Sequence, residues 1–231
     1  VGVSLKACPS LGPGQNPFEV GSNLRQMRNI AIGATGRSGL IVKHRFIEAL
    51  DYFLHADKQW TQEHLIAPLL NDDKASLALW RSIARRHHST KVLDIIGSEM
   101  AERATDRGLG RETRRRLVFN LVIESLHAFS EDRDPAVPHI RIQQMLRSID
   151  DEVRASAANA IQQFVRDLST TRGEDKGLRS AADLFRSAAA PFLGRVWPQE
   201  RSLATPGVSA AFADLPATSG SAFAEAVDAI E

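Results

Sequence analysis

The chain has 231 residues, which is enough to bury a full hydrophobic core in one extended domain or two small ones. Its 29 Lys and Arg residues nearly balance 28 Asp and Glu residues. The resulting net charge of +1 argues against a protein that binds nucleic acid or a membrane surface over a whole face. The apolar runs are too short to span a membrane. A single cysteine, Cys8, excludes an internal disulfide and favours a reducing compartment, which we take to be the cytoplasm.

The N-terminal part of the chain has no regular hydrophobic pattern. Residues 1–22 contain three prolines and four glycines without a fixed spacing, and a glycine-rich stretch follows at 33–39. We therefore predict an irregular segment over 1–39 and an α-helical repeat domain over 40–231. Because the chain begins with Val1 and ends within a helical pattern, we interpret it as a piece of a larger polypeptide.

From Leu40 onward, apolar residues recur at helical spacing, and runs with the alternating period of strands are nearly absent. Capping residues, glycines and prolines place the boundaries of eight predicted helices. These helices cover Leu40 to Leu54, Thr61 to Leu70, Asp72 or Asp73 to Ala84, Ser89 to Ala104, Arg111 to Phe129, Asp134 to Ile149, Asp150 to Leu168 and Leu178 to Leu193. Two short helices are predicted after Thr205 and near 219–221.

The helix that starts at Asp150 or Asp151 has the clearest pattern. Either aspartate can cap it and place a negative charge where the helix dipole favours one. Its apolar residues fall on one broad face, which neighbours on both sides must bury. This face consists of Val153, Ala157, Ala160, Ile161, Phe164 and Leu168.

The same helix carries the pattern Asp-x-Val-Arg-x-x-Ala-Ala-x-Ala-Ile. This pattern resembles the second helix of a HEAT-type repeat. The matching residues are Asp151, Val153, Arg154, Ala157, Ala158, Ala160 and Ile161. Helix starts also recur roughly every 39 residues, close to the ~40-residue period of paired-helix repeats. The resemblance implies an all-α fold, a right-handed α-solenoid of antiparallel helix pairs of the HEAT or armadillo kind.

A second resemblance rests on segments that contain tryptophan. The helix ending in Pro191-Phe192-Leu193 is followed by Val196-Trp197-Pro198-Gln199-Glu200, and Trp60 and Trp80 stand in segments of similar character. These segments resemble the C-terminal helical region of large bacterial proteins. Several of those are antiviral defence proteins with a sirtuin-like or NTPase effector at the other end. The resemblance implies a sensing or assembly role and carries no catalytic residue.

The stretch Gly33–Gly39 follows the apolar residues 30–32 and precedes a helix. It resembles the glycine turn of a short-chain dehydrogenase, which would imply an NAD(P)-binding oxidoreductase. That fold also needs a second strand with a ribose-binding acid about 20 residues later. The residues at that distance, 49–54, have a helical pattern instead. We therefore favour a glycine-rich entry turn and keep the oxidoreductase as a second alternative.

Two basic clusters are the candidate contact residues. One consists of Arg85, Arg86 and Lys91, and the other of Arg111, Arg114, Arg115 and Arg116. Arginines in the first turns of a helix oppose its dipole, so the second cluster requires a partner, either phosphate or acids such as Glu131 and Asp132. The adjacent His87 and His88 point about 100° apart on a helix and do not form a metal-binding pair.

These observations favour a non-enzymatic helical-repeat scaffold or sensing module. We expect it to bind another protein, or other domains of its parent chain, without a cofactor, a metal or a membrane. The sequence shows no catalytic constellation. The first alternative is a nucleic-acid-contacting helical module that uses the two basic clusters.

Overall fold

A computed structural model describes residues 16–170 and 179–231. All regular structure in these residues is helical, which confirms the prediction of an all-α protein. None of the helices in the same residues has the length and apolarity needed to cross a membrane. The chain divides into two compact units, Val1–Val92 and Leu93–Glu231, and we describe each by itself.

Unit 1 is built from short helices around an aromatic core. The helices are α1 (Asn23–Ile32), α2 (Gly36–Ile47), α3 (Leu50–Ala56), α4 (Lys58–Thr61), α5 (Lys74–Ile83) and the start of α6 (Thr90–Arg103). A π turn at Gln62–Ile66 and a 3-10 turn at Ala67–Leu69 continue α4. The fully buried Trp80 donates its indole N–H to the carbonyl of Leu69 at 3.0 Å and so fixes this turn against α5.

Unit 2 is built around two long helices. Its elements after α6 are a 3-10 turn at Arg107–Leu109, α7 (Arg111–Ser130), α8 (His139–Ser148), α9 (Asp151–Thr170), α10 (Ala181–Leu184), a π turn at Phe185–Ala189 and α11 (Ala190–Arg195). The chain then forms a 3-10 turn at Arg201–Leu203, α12 (Pro206–Phe212), α13 (Leu215–Thr218), a 3-10 turn at Gly220–Ala222 and α14 (Phe223–Ile230).

Helix α9 lies at the centre of unit 2, as its sequence pattern predicts. The carboxylate of Asp150 accepts the N–H of Val153 at 3.2 Å and caps the helix. The predicted face packs against α7 and α12. Its described residues are buried, with Val153, Ala157, Ala160 and Ile161 at 0% exposure and Phe164 at 3%. Leu168, also predicted on this face, has a side chain outside the described part.

The structure corrects the predicted boundary between the irregular N-terminal segment and the helical domain. We predicted an irregular segment over 1–39, but α1 and the first turn of α2 lie within it. The hydroxyl of Ser22 accepts the N–H of Arg25 and caps α1. Tertiary contacts of Arg28 then hold this short helix in place. Residues 1–15 lie outside the described part.

Several helix starts also differ from prediction. Asp57, rather than Thr61, caps the second predicted helix by accepting the N–H of Trp60. The sixth begins at His139, after Pro138, and not at Pro135. Ala49 interrupts the first predicted helix between α2 and α3. The starts at Asp73, Arg111 and Thr205 agree with prediction, and the aspartate and threonine accept backbone N–H groups there.

Candidate functional site

The arginines of the first turns of α7 meet carboxylates. Arg114, whose side chain is 7% exposed, donates to Asp150 with an N–O distance of 2.6 Å. Arg111 pairs with Glu152, and Arg116 pairs with Glu112 of its own helix at 2.8 Å. The acidic start of α9 therefore neutralises the basic start of α7. This contact supplies the partner that the sequence required.

Two details refine this result. The acids suggested at Glu131 and Asp132 are not the partners, because they follow the C-terminal end of α7, roughly 30 Å along the helix from Arg111. Burial by itself would raise the pKa of Asp150, but hydrogen bonds from Arg114 and from the N–H of Val153 outweigh it and lower that pKa. Arg115 is half-buried, and its Nε has no hydrogen-bond partner among the described residues.

The other predicted cluster lies in unit 1. Arg85 and Arg86 are exposed where α5 ends, and their backbone N–H groups donate to Ser82 and Ile83. Lys91 is exposed in the first turn of α6. That these residues share one surface with the arginines of α7 stays a prediction.

The second of the paired histidines, His88, is buried and lies close to groups of two other helices. The side chain of His88 is 1% exposed, and its Nδ1 lies 3.7 Å from the carboxylate of Asp51. Its Nε2 lies 2.9 Å from the carbonyl oxygen of Ile83. His88 thus connects α3 to the end of α5. Residues 16–170 and 179–231 contain no cluster of His, Cys, Asp or Glu that could hold a metal ion.

The glycine-rich stretch forms the turn between α1 and α2. Residues 30–32 are helical, so the strand that a dinucleotide fingerprint requires is not found there. Gly36 has φ +59°, a conformation that favours glycine. A Cβ on Gly39 would lie 2.1 Å from the carbonyl oxygen of Ala34. Gly36 and Gly39 are thus explained by a tight helix–helix turn.

Sequence reasoning missed a site around Arg28 in unit 1. The guanidinium carbon of Arg28 lies 4.3 Å from the ring centre of Phe18 and 4.0 Å from that of Trp60. Its Nη1 donates to the carboxylate of Asp57 at 2.8 Å. Two aromatic rings and an ion pair therefore hold a cation that is only 5% exposed. Phe18 stands among prolines and glycines, which gave no signal of a core position.

This arginine borders a cleft, which we call the Arg28 cleft, with a volume of about 790 Å³. Two buried donors of its lining residues, Nε of Arg28 and Nε1 of Trp60, have no acceptor among the described residues. The lining residues are Asn16, Phe18, Glu19, Val20, Arg25, Arg28, Asn29, Ile32, Asp57, Gln59, Trp60, Glu63 and His64. Burial of unsatisfied N–H groups costs free energy, so the packing around Arg28 includes an unfavourable local contribution.

Unit 2 has a smaller cavity of about 240 Å³ beside Trp197. Trp197 packs edge-on against Phe212, with ring centres 5.0 Å apart. The residues Val196-Trp197-Pro198 that carry the second resemblance therefore form part of a packed corner, in which Val196 and Trp197 are buried.

No protein-family model, no curated protein and no solved structure matches this chain.

Proposed function

We propose that this chain is a non-enzymatic helical-repeat scaffold or sensing module that binds another protein or other domains of its parent chain. The proposal includes a right-handed α-solenoid of the HEAT or armadillo kind and a place in a larger bacterial protein, with antiviral defence as the setting that the resemblance suggests.

The observation that carries the proposal is the way Arg154 joins α8 to α9. Its guanidinium donates to the carbonyls of Leu146 at 2.8 Å and Ile149 at 2.5 Å, at the end of α8. Arg154 belongs to the repeat-like pattern in the sequence, and it is 4% exposed. A buried arginine that satisfies the carbonyls at the end of the preceding helix fixes the tight junction between two consecutive helices, and junctions of this kind suit a chain of stacked helices.

Alanines of the same pattern support close stacking. Ala157, Ala158 and Ala160 are fully buried, so neighbouring helices approach the α9 backbone closely. Helix α9 packs against α7, the helix two positions earlier, as stacked pairs require. Stacked pairs present extended surfaces that suit the binding of other proteins.

Nucleic-acid contact is less well supported. Of the four arginines at the start of α7, Arg111, Arg114 and Arg116 pair with carboxylates. A phosphate would have to displace these acids before it gained a contact, so each such contact would add little affinity.

The test is cross-linking of the chain in its host cells, followed by reconstitution with the purified cross-linked protein or parent domain. We expect a saturable complex at about 150 mM salt, a concentration at which exposed charges more than about 8 Å apart are largely screened from each other. The matched control is the same titration with duplex DNA and with RNA of mixed sequence. If the nucleic acids bind at this salt and no protein complex forms, the proposal is wrong.

A further inference from the structure

The imidazole of His139 joins the start of α8 to the end of α7. Its ring stacks on that of Phe129, with centres 4.6 Å apart and planes inclined by 18°. Its Nε2 is buried and has no hydrogen-bond partner among the described residues. A neutral ring can leave this nitrogen without a hydrogen by carrying its proton on Nδ1, whereas a protonated ring has N–H groups on both nitrogens. Protonation therefore places a charged N–H group where it meets no acceptor, which costs free energy.

Other groups at this junction also oppose a positive charge on His139. Arg195, the last residue of α11, has its guanidinium carbon 6.0 Å from the centre of the Phe129 ring. His139 is the first residue of α8, where the helix dipole disfavours a cation, and the first turn contains no acidic residue. It does contain a further cation, the exposed Arg141. Arg179 donates to the carbonyl of the last residue of α7 at 2.6 Å and brings another cation to the same end of that helix.

The acids at this end of α7 have other partners. Glu124 accepts two hydrogen bonds from the guanidinium of Arg133, and Glu131 lies 2.7 Å from the same arginine. Burial lowers the pKa of His127, and the charges of both acids oppose that shift. Burial also lowers the pKa of His139, but there the neighbouring charge is that of an arginine and adds to the shift. The two histidines therefore differ, and only His127 has nearby carboxylates that favour its protonated form.

Helix α8 is held in different ways at its two ends. At its C-terminal end, Arg154 donates to the carbonyls of Leu146 and Ile149, and an arginine keeps its charge at any physiological pH. At its start, the stacked ring of His139 belongs to a group that can change its charge near neutral pH. A proton taken up by His139 therefore acts on the first turn of α8 and leaves the other end attached.

We propose that the junction between α7 and α8 is an acid-sensitive contact, in which protonation of His139 releases the first turn of α8 from the end of α7. The released ring is hydrated and binds a proton more tightly than the packed ring, so proton uptake and release of the turn are linked. The pKa is lowered in the packed state, so the contact is at full strength above the ordinary histidine value of 6.5. It weakens as the pH falls below that value. This inference does not depend on which partner the chain binds.

The test is an NMR titration of the ¹⁵N,¹³C-labelled chain between about pH 8 and pH 5, the range in which histidine changes its charge. The imidazole signal of His139 should titrate below 6.5. The amides of Arg141 and Ile142 donate to the carbonyl of Pro138 in the first turn of α8. Their ¹⁵N heteronuclear NOE should fall with the same midpoint, because a released turn moves faster. The amide of Arg154, in the first turn of α9, is the internal control and should keep its NOE.

A matched pair of substitutions identifies the neighbouring charge. Arg195→Gln removes a cation from the junction and should raise the titration midpoint of His139 toward 6.5. Arg45→Gln makes the same change in unit 1, where Arg45 pairs with Glu48, and should leave that midpoint unchanged.

A second pair identifies the titrating ring. His139→Phe keeps an aromatic ring against Phe129 and removes the titratable group. Between about pH 8 and pH 5, the urea midpoint of the native chain should fall by more than that of this variant. His55→Gln, at an exposed position of α3, is the control and should lose as much as the native chain.

Three results would overturn the inference. The first is a midpoint of His139 at or above 6.5. The second is an NOE of the Arg141 and Ile142 amides that stays constant or follows the midpoint of His127. The third is an equal loss of urea midpoint in the native chain and in His139→Phe. If His139→Phe does not fold, the titration of the native chain decides the matter through the first two results.

Discussion

Two buried arginines in this protein are used in different ways. In unit 2, Arg154 donates to the carbonyls of Leu146 and Ile149 and lies 3.9 Å from Asp151. In unit 1, Arg28 has one carboxylate partner, two ring contacts and an Nε without an acceptor. The first arginine joins the end of α8 to the start of α9, and the second borders a cleft. The contacts of a buried cation thus distinguish an arginine that joins two helices through backbone carbonyls from one that is held by aromatic rings and a single carboxylate.

The largest loss of stability should come from a substitution in the buried face of α9, the helix that carries Arg154. Phe164→Ala should lower the free energy of unfolding by about 3–5 kcal/mol through loss of burial and a cavity. Phe164 is 3% exposed, and its ring lies edge-on to His127 at 5.0 Å. Urea denaturation measures the change. Phe223→Ala, at a residue that is 54% exposed, is the control and should cost under about 0.5 kcal/mol. Equal midpoints for the two variants would contradict the described face of α9.

Replacement of Arg154 and of Arg28 tests directly how much each arginine contributes to the stability of the folded chain. Arg154→Met leaves two carbonyls at the end of α8 without their donor and should cost about 2–3 kcal/mol. Arg28→Met leaves Asp57, whose side chain is 22% exposed and can be hydrated, so we expect about 1–2 kcal/mol. Urea denaturation of both variants checks the order. If Arg28→Met is the more damaging change, Arg28 has a mainly structural role.

Acid should weaken the contact between α7 and α9. The pKa of Asp150 is below its ordinary value of 3.8 in the folded chain, so its contribution to stability is present above about pH 4. This contribution is lost as the pH falls through the lower folded-state pKa. Arg114→Gln should lower the free energy of unfolding by about 1 kcal/mol at neutral pH. The value is modest because the carboxylate of Asp150 is partly exposed and water weakens the ion pair. The difference between the variant and the native chain should shrink toward pH 2, as urea midpoints at several pH values can show.

The smallest expected effect concerns nucleic-acid binding, which we expect to be absent both before and after substitution. Arg114→Glu together with Arg115→Glu should leave mobility of DNA and RNA unchanged in gel-shift assays at near-physiological salt, because the native chain should not retard them either. Retardation by the native chain that this double change abolishes would favour the nucleic-acid alternative. Each phosphate contact would then add a slope of about −0.9 in log affinity against log salt on duplex DNA.

Much of the candidate site could not be predicted from the sequence. The arginines of α7 were identified as groups in need of a partner, since the dipole argument involves only their own helix. Of the partners considered for them, phosphate or acids, the two acids named as examples, Glu131 and Asp132, were wrong, because the packing of α7 on α9 sets Asp150 opposite Arg114. Arg28 gave no signal at all. An isolated arginine in a short mixed segment has the pattern of a solvated residue.

The sequence by itself determined the helical character of the chain, the caps at Asp73, Asp150 and Thr205, and the buried face of α9. These features depend on residues within about four positions of one another, where the spacing of side chains on a helix is fixed. Only the tertiary structure decided that Phe18 and Trp60 enclose Arg28 and that the start of α9 neutralises the start of α7. Those contacts join residues far apart in the chain, and the packing of whole helices selects them from many alternatives of equal local energy.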